Sequence, residues 1–118
     1  MGVSRDFAAY VQELFAPLGV IRVKQMFGGA GVYADDLMFA LIHDDALYLR
    51  VDAEIEARFR EAGSQPFIYK TKDGAEMSLG YWRAPDEVLE SPEEAEPWAR
   101  LSIEAALRKQ RAKPKKKK

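Results

Sequence analysis

The spacing of apolar residues predicts a helix followed by strands in the first half of the chain. Over residues 7–18, apolar side chains recur every three or four positions, which is typical of an amphipathic helix. From Val20 onward, apolar and polar residues alternate as they do in a strand. The continuous apolar run over residues 37–42 indicates a central strand covered on both faces. Asp-Asp pairs at residues 35–36 and 44–45 supply short turns, so we expect an antiparallel meander.

The second half of the chain predicts a helix, a hairpin and a final helix. Gly63 is placed to end the first of these helices, and Ser91 with Glu94 forms a capping box for the last. The predicted elements are a helix opened by Asp52, strands over residues 67–70 and 77–82, a helical turn over 84–89, and a helix from Ser91. Strands outnumber crossovers, which favours an α+β two-layer sandwich whose antiparallel sheet has about five to six strands, with helices mainly on one face.

A glycine-rich run, Met26-Phe27-Gly28-Gly29-Ala30-Gly31-Val32-Tyr33, interrupts the strand pattern. Glycine is needed for a positive φ, for a bulge, or where another group approaches the backbone closely. We interpret Phe27, Gly28, Gly29 and Gly31 as a structural corner. The run also matches the dinucleotide pattern G-x-G-x-x-A, but no helix is predicted after it and two aspartates follow, which would repel a phosphate. We therefore expect no nucleotide cofactor.

Charge is distributed unevenly along the 118 residues, although the net charge is only −1. Residues 108–118 hold eight basic side chains and no acid, which leaves 10 basic and 19 acidic side chains in residues 1–107. We expect one domain over residues 1–111 and a disordered basic tail over residues 112–118. Lys113, Lys115, Lys116, Lys117 and Lys118 form a weak candidate nucleic-acid contact, and the alternative is a tail that only aids solubility.

The composition argues against several classes of protein. The chain has no cysteine, so a disulfide framework and a thiolate metal site are excluded. No apolar stretch approaches the roughly 18 residues that a membrane helix needs. The start of the chain lacks the apolar region of a signal peptide, so we expect a cytoplasmic protein without membrane contact.

The sequence offers little catalytic chemistry. His43 is the single histidine and could act as a base with Asp44 or Asp45, but no nucleophile or oxyanion motif accompanies it. The acidic pairs lack the alternate spacing around a glycine that a calcium loop requires. We expect no enzyme, metal or cofactor, and an enzyme of unrecognised type around His43 is kept as an alternative.

Aromatic and arginine side chains form the candidate partner-binding set. Tyr48 and Arg50 alternate with two leucines, so they lie on the strand face opposite the predicted core. Tyrosine, tryptophan and arginine are enriched at the centres of protein interfaces. The candidate set is Tyr48, Arg50, Tyr81, Trp82 and Arg83. These residues would face a protein partner or a second copy in a homodimer, and the alternative is that they pack around the sheet edge.

Several short motifs, taken in order, resemble the TfoX/Sxy N-terminal domain. They are the glycine-rich run above, Met38-Phe39-Ala40-Leu41, Leu47-Tyr48-Leu49-Arg50-Val51-Asp52, Pro66-Phe67-Ile68-Tyr69, Tyr81-Trp82-Arg83-Ala84-Pro85 and Pro97-Trp98-Ala99-Arg100. The resemblance spans roughly residues 5–110. It implies a two-layer fold with an antiparallel sheet, similar to secretion-chaperone-like domains. For some members it implies a link to the regulation of natural competence genes, and it supplies no catalytic residues.

Overall fold

A computed structural model describes residues 5–26, 29–44, 46–70 and 72–112 of the chain. Its elements follow the predicted order, with one-turn 3₁₀ helices at Ala16–Leu18 and Asp86–Leu89. The helices and strands are α1 (Arg5–Phe15), β1 (Ile21–Met26), β2 (Gly29–Ala34), β3 (Leu37–His43), β4 (Ala46–Arg50), α2 (Glu56–Glu61), β5 (Pro66–Lys70), β6 (Glu76–Arg83) and α3 (Pro92–Ala112). The expected α+β class is confirmed.

The six strands form one antiparallel sheet in the order β1-β2-β3-β4-β6-β5. Asp35 and Asp36 join β2 to β3 with positive φ angles of 51° and 66°. Two successive residues with positive φ make the tight hairpin turn whose twist matches that of the flanking strands, and aspartate tolerates this conformation. The order of the strands leaves β1 and β5 at the two edges of the sheet.

One face of the sheet carries the main core, which α1, α2 and α3 cover. Leu47 pairs with Ile42 and Leu49 with Trp82, so these side chains share that face. Aromatic edge contacts tie the layers together, with ring centroids of Phe15 and Phe39 5.1 Å apart. The largest fully buried side chains of this core are Phe15, Phe39, Phe59, Leu14, Ile42, Leu47, Leu49, Val11, Val32 and Val88.

The opposite face carries a smaller apolar cluster. Leu41, Phe67 and Tyr81 are buried there, with Met38 and Tyr48 packed against them. The Phe67 ring lies 4.8 Å from the Tyr48 ring, so β5 contributes a side chain that covers the middle of this face. This face is therefore only partly open.

Within the glycine-rich run, Gly29 and Gly31 do not form the corner that the sequence suggested. Gly29 and Gly31 lie inside β2, paired in register with both neighbouring strands, and neither has a positive φ. The register shift lies further along β2, between Val32 and Tyr33. A Cβ atom on Gly29 would collide with the carbonyl oxygen of Ile42, so close approach of the neighbouring strand is what requires this glycine. Phe27 and Gly28 lie outside the described residues.

Local capping fixes the ends of α2 and α3. Gly63 has a φ of 83°, its N–H donates to Arg60, and the next N–H donates to Phe59, which is the Schellman arrangement. The Glu94 N–H donates to Ser91 Oγ at 3.2 Å, as the predicted capping box requires. Asp52 does not begin α2 directly. Its Oδ1 accepts the Glu54 N–H at 3.0 Å, and α2 starts two residues after Glu54.

Candidate functional site

The structure divides the five predicted partner-binding residues between the two faces of the sheet. The register between β4 and β6 pairs Tyr48 with Arg83, Leu49 with Trp82, and Arg50 with Tyr81. Residues directly opposite each other share a face, so Trp82 lies on the helix-covered side, away from the other four. It is 7% exposed, belongs to the main core, and lies beneath the Arg60 guanidinium. Trp82 is therefore a packing residue, in correction of the sequence interpretation.

Tyr81 is also buried, and it positions Arg50. The Tyr81 side chain is 3% exposed. Arg50 Nη2 donates to the Tyr81 hydroxyl at 3.1 Å, and the guanidinium lies 4.6 Å from the ring centroid. Burial raises the pKa of the Tyr81 phenol, and the nearby Arg50 charge acts in the opposite direction. The phenol therefore stays a neutral partner for Arg50 at neutral pH and holds this cation in place at the edge of the smaller cluster.

Tyr48 and Arg83 line a cleft beside the edge strand, which we call the β5 cleft. Its volume is about 470 Å³, and its lining is Tyr48, Gly63, Ser64, Gln65, Pro66, Phe67, Ile68, Arg83 and Asp86. Ser64 Oγ donates to the Arg83 carbonyl at 2.5 Å, and the Arg83 N–H donates to Gln65 at 2.9 Å, which fixes this corner. Ile68 is 44% exposed, one of few large apolar side chains so exposed. Sequence analysis missed Ile68, because its exposure depends on the strand order.

Arg50 borders a second and larger concavity, which we call the α3 groove. Its volume is about 1040 Å³. Its charged lining comes from β4, from the segment after it and from the end of α3: Arg50, Asp52, Glu54, Arg108, Lys109 and Arg111. Sequence analysis counted Lys109 and Arg111 with the terminal charge. The helical segment runs to Ala112, and this places both residues on α3 instead.

An ion-pair network fixes one wall of the α3 groove. Arg108 donates Nε to Asp52 Oδ2 at 2.7 Å and Nη2 to Oδ1 at 3.0 Å, a two-pronged contact between residues 56 positions apart. Glu54 lies 3.3 Å from the same guanidinium. The hydrogen bond from Arg108 lowers the pKa of the Asp52 carboxyl, against a smaller opposing effect of burial. The network ties the end of α3 to the chain that follows β4.

His43 lies in a further concavity of about 420 Å³, together with Lys70, Glu76, and the two residues Phe67 and Ile68 that it shares with the β5 cleft. Its Nδ1 is 3.9 Å from Asp44 Oδ2, which is too long for a hydrogen bond. Its ring packs 5.3 Å from the Phe67 ring. Among the described residues, this lining contains neither a hydroxyl nor a thiol, and Arg83 belongs to the β5 cleft instead. The described part of this concavity therefore brings no hydroxyl or thiol nucleophile to the imidazole.

The described part of the chain shows neither a metal-binding cluster nor a membrane-spanning helix. Within it, no group of three or more acidic or histidine side chains is arranged to hold a metal ion. No helix among the described residues has the length and apolar character needed to cross a membrane. Lys113, Lys115, Lys116, Lys117 and Lys118, the candidate nucleic-acid residues, lie outside the described ranges.

Comparisons with known proteins give related sequences over most of this chain. A family model, the TfoX N-terminal domain, matches residues 13–106. The DNA transformation protein TfoX1 of Aliivibrio fischeri (strain ATCC 700601 / ES114) is 42% identical over 55 residues, which are 47% of this chain and 26% of that protein. Protein Sxy of Escherichia coli (strain K12) is 29% identical over 97 residues, which are 82% of this chain and 46% of that protein. The matches thus span less than half the length of these relatives.

Proposed function

The chain belongs to the TfoX N-terminal domain family, and on this basis we propose that it is a non-catalytic regulatory domain that acts in DNA transformation by binding another protein. The process is suggested by the name of the relative TfoX1, a DNA transformation protein. The proposed place of action is the cytoplasm, where competence genes are transcribed. The binding mode is argued below from the surface of this chain.

The observation that carries the proposal is the chemistry of the β5 cleft. Exposed Ile68 lines this cleft together with half-buried Tyr48 and exposed Arg83. An apolar contact next to an aromatic ring and an arginine is the combination found at the energetic centres of protein interfaces.

The position of β5 suggests how a partner binds. As an edge strand, it presents backbone N–H and C=O groups that lack a neighbour within the described sheet. An extended segment can add to such an edge, and pockets for alternate side chains then give specificity. We propose that the partner lies along β5, buries an apolar side chain against Ile68, and places a carboxylate near Arg83. A second copy of this chain, paired through β5, is the homodimeric form of the same mode.

The proposal is tested with a chimera in which this chain replaces the matching domain of TfoX1 in A. fischeri. Transformants are counted per cell after addition of DNA. Ile68→Asp and Arg83→Glu are each expected to lower the count about tenfold or more, because single residues at interface centres contribute about 2 kcal/mol or more. Both positions are at the surface, so the fold is expected to persist.

Val20→Asp and Arg58→Glu are the matched controls, since they make the same changes at exposed positions outside the cleft. Val20 is 72% exposed, more than Ile68. Both controls are expected to keep the count of the unmodified chimera. A chimera that transforms equally well with Ile68→Asp and Arg83→Glu, at equal protein levels, would contradict the proposed binding surface.

A further inference from the structure

The α3 groove gathers several cations, most of which form no ion pair with the described residues. Arg108 is held by Asp52 and Glu54. Among the described residues, no carboxylate forms an ion pair with Arg50, Lys109 or Arg111. Arg50 and Lys109 also border an adjoining concavity of about 180 Å³, so the two lie between neighbouring hollows. Three cations that form no ion pair among the described residues therefore border one open surface.

Stabilisation of the helix does not account for these charges. The C-terminus of a helix carries roughly half a negative charge, which a single lysine or arginine in the last turn can offset. Here Arg108, Lys109 and Arg111 all lie at the end of α3, and Arg50 comes from the sheet. Arg50 is moreover held over the Tyr81 ring and bonded to its hydroxyl. A cation fixed in this way loses less rotamer freedom when it meets an anion.

The excess of acidic side chains in residues 1–107 does not cancel the attraction of an anion to the α3 groove. Glutamates 87, 90, 93, 94 and 96 cluster around the start of α3, at the other end of the helix. The 21 residues of α3 span about 31 Å at 1.5 Å per residue. At physiological ionic strength, exposed charges are screened over about 8 Å. A ligand at the groove therefore interacts little with the distant glutamates. The nearby carboxylates of Asp52, Glu54 and Glu104 all act on Arg108, and Arg50, Lys109 and Arg111 are the cations that remain for a ligand.

We propose that the α3 groove binds the phosphate backbone of a nucleic acid, as a site separate from the β5 cleft. Of the apolar side chains that line the groove, Val51 is 7% exposed, Ala105 is fully buried, and the exposed Ala53 carries only a methyl group, so the described lining presents no large apolar side chain. A protein partner needs an apolar centre for its contact, whereas a phosphate backbone needs only well-placed cations. The sequence beyond α3 contains five further lysines within six residues.

The test measures fluorescence anisotropy of a labelled 20-base-pair duplex and of the same single strand, with the full chain over a range of salt concentrations. The groove variant is Lys109→Ala with Arg111→Ala, two exposed positions. The control is Arg5→Ala with Arg58→Ala, also exposed, which removes the same charge outside the groove. A third chain ends at Ala112 and keeps the groove without the terminal lysines. Thermal melting checks that all variants fold.

The expected size of the effect follows from counterion release. Each phosphate contact contributes about −0.9 to the slope of log K against the logarithm of the salt concentration. A tenfold fall in salt, from 1 M to 0.1 M, therefore raises the affinity about eightfold for each contact. The groove variant should therefore bind roughly 60-fold more weakly, with a slope reduced by about 1.8. The control should change affinity less than about threefold, because its charges do not touch the ligand. The chain ending at Ala112 should bind more weakly than the full chain, and its binding should still depend on the groove.

Three results would overturn the proposal. The first is equal binding by the groove variant and the control. The second is binding that disappears in the chain ending at Ala112 while the groove variant keeps full affinity, because the terminal lysines would then act alone. The third is that labelled polyglutamate binds more tightly than either nucleic acid and that the groove variant weakens its binding to the same extent. Each result leaves the β5 cleft untested, since the two sites share no lining residue.

Discussion

Replacement of Gly29 by alanine would place a methyl group against the backbone of β3. Gly29 is buried in β2 and pairs with Met26 on one side and His43 on the other. A Cβ atom at position 29 would lie less than 3.0 Å from the carbonyl oxygen of Ile42, a separation that Cβ atoms in proteins essentially never show. It would lie 3.4 Å from the carbonyl carbon of the same residue. A relaxed carbon–oxygen contact is about 3.3 Å, so β3 would have to move by roughly 1 Å. The movement falls on the backbone of a central strand, which cannot rotate away as a side chain can.

The loss of stability caused by Gly29→Ala can be bounded from the packing. Overpacking a core usually lowers the free energy of unfolding by about 1–3 kcal/mol, and the rigid surroundings of Gly29 place this substitution at the upper end, about 3 kcal/mol. For a domain of this size, a loss of 1 kcal/mol lowers Tm by about 4 °C. We therefore expect circular dichroism melting at pH 7 to show a fall in Tm of about 12 °C.

Gly74→Ala is the matched control for this substitution. Gly74 has a φ of 87°, and a Cβ there would meet no atom within 4 Å. Gly74→Ala should therefore cost only the strain of an alanine in the left-handed backbone conformation. This strain is about 1 kcal/mol, which corresponds to a fall in Tm of about 4 °C. If Gly29→Ala melts at or above the temperature of Gly74→Ala, close approach of β3 is not the reason for glycine at position 29.

Two further substitutions test individual contacts. Ser102 is fully buried, and its Oγ has no hydrogen-bond partner among the described atoms. Ser102→Ala should therefore raise the unfolding free energy by up to about 1 kcal/mol, since an uncompensated desolvation is removed, and a loss above 1 kcal/mol in urea unfolding would refute this reasoning. Asp52→Asn should cost about 1 kcal/mol at pH 7, because the contact with Arg108 is partly exposed. Arg108 lowers the folded-state pKa of Asp52 below its usual 3.8, so this stabilisation is present above pH 3.8 and is lost as pH falls through the folded-state value. If Asp52→Asn lowered the free energy of unfolding equally at pH 7 and pH 2, the stabilising role of the Asp52–Arg108 ion pair would be contradicted.

Local signals in the sequence were sufficient to predict most elements of the fold. Asp35-Asp36, Gly63 and the Ser91 capping box each act over fewer than six residues, and the structure has a turn or a helix end at each. The face of Tyr48 and Arg50 also followed from simple alternation. The same rule excludes a shared face for adjacent residues, and this is why grouping Tyr81 with Trp82 was wrong.

The candidate sites depend on contacts between distant segments, which the sequence pattern does not contain. Arg50 and Lys109 border the same concavity because α3 crosses the sheet and ends beside β4, and the Asp52–Arg108 pair holds it there. The role of Gly29 likewise depends on the strand that lies beside it, since a glycine in a strand has the same local pattern as one in a turn. Periodicity can identify a face but not the elements that border it.

The most direct test of the β5 cleft as the surface where this domain acts is site-specific photocrosslinking in cells that carry the active TfoX1 chimera. A benzophenone amino acid is placed at Ile68 in one strain and at the more exposed Val20 in another. We predict a discrete crosslinked protein species from position 68, lost with Arg83→Glu, and none from position 20. Crosslinking that is equal at both positions, or found only at position 20, would contradict binding through the β5 cleft.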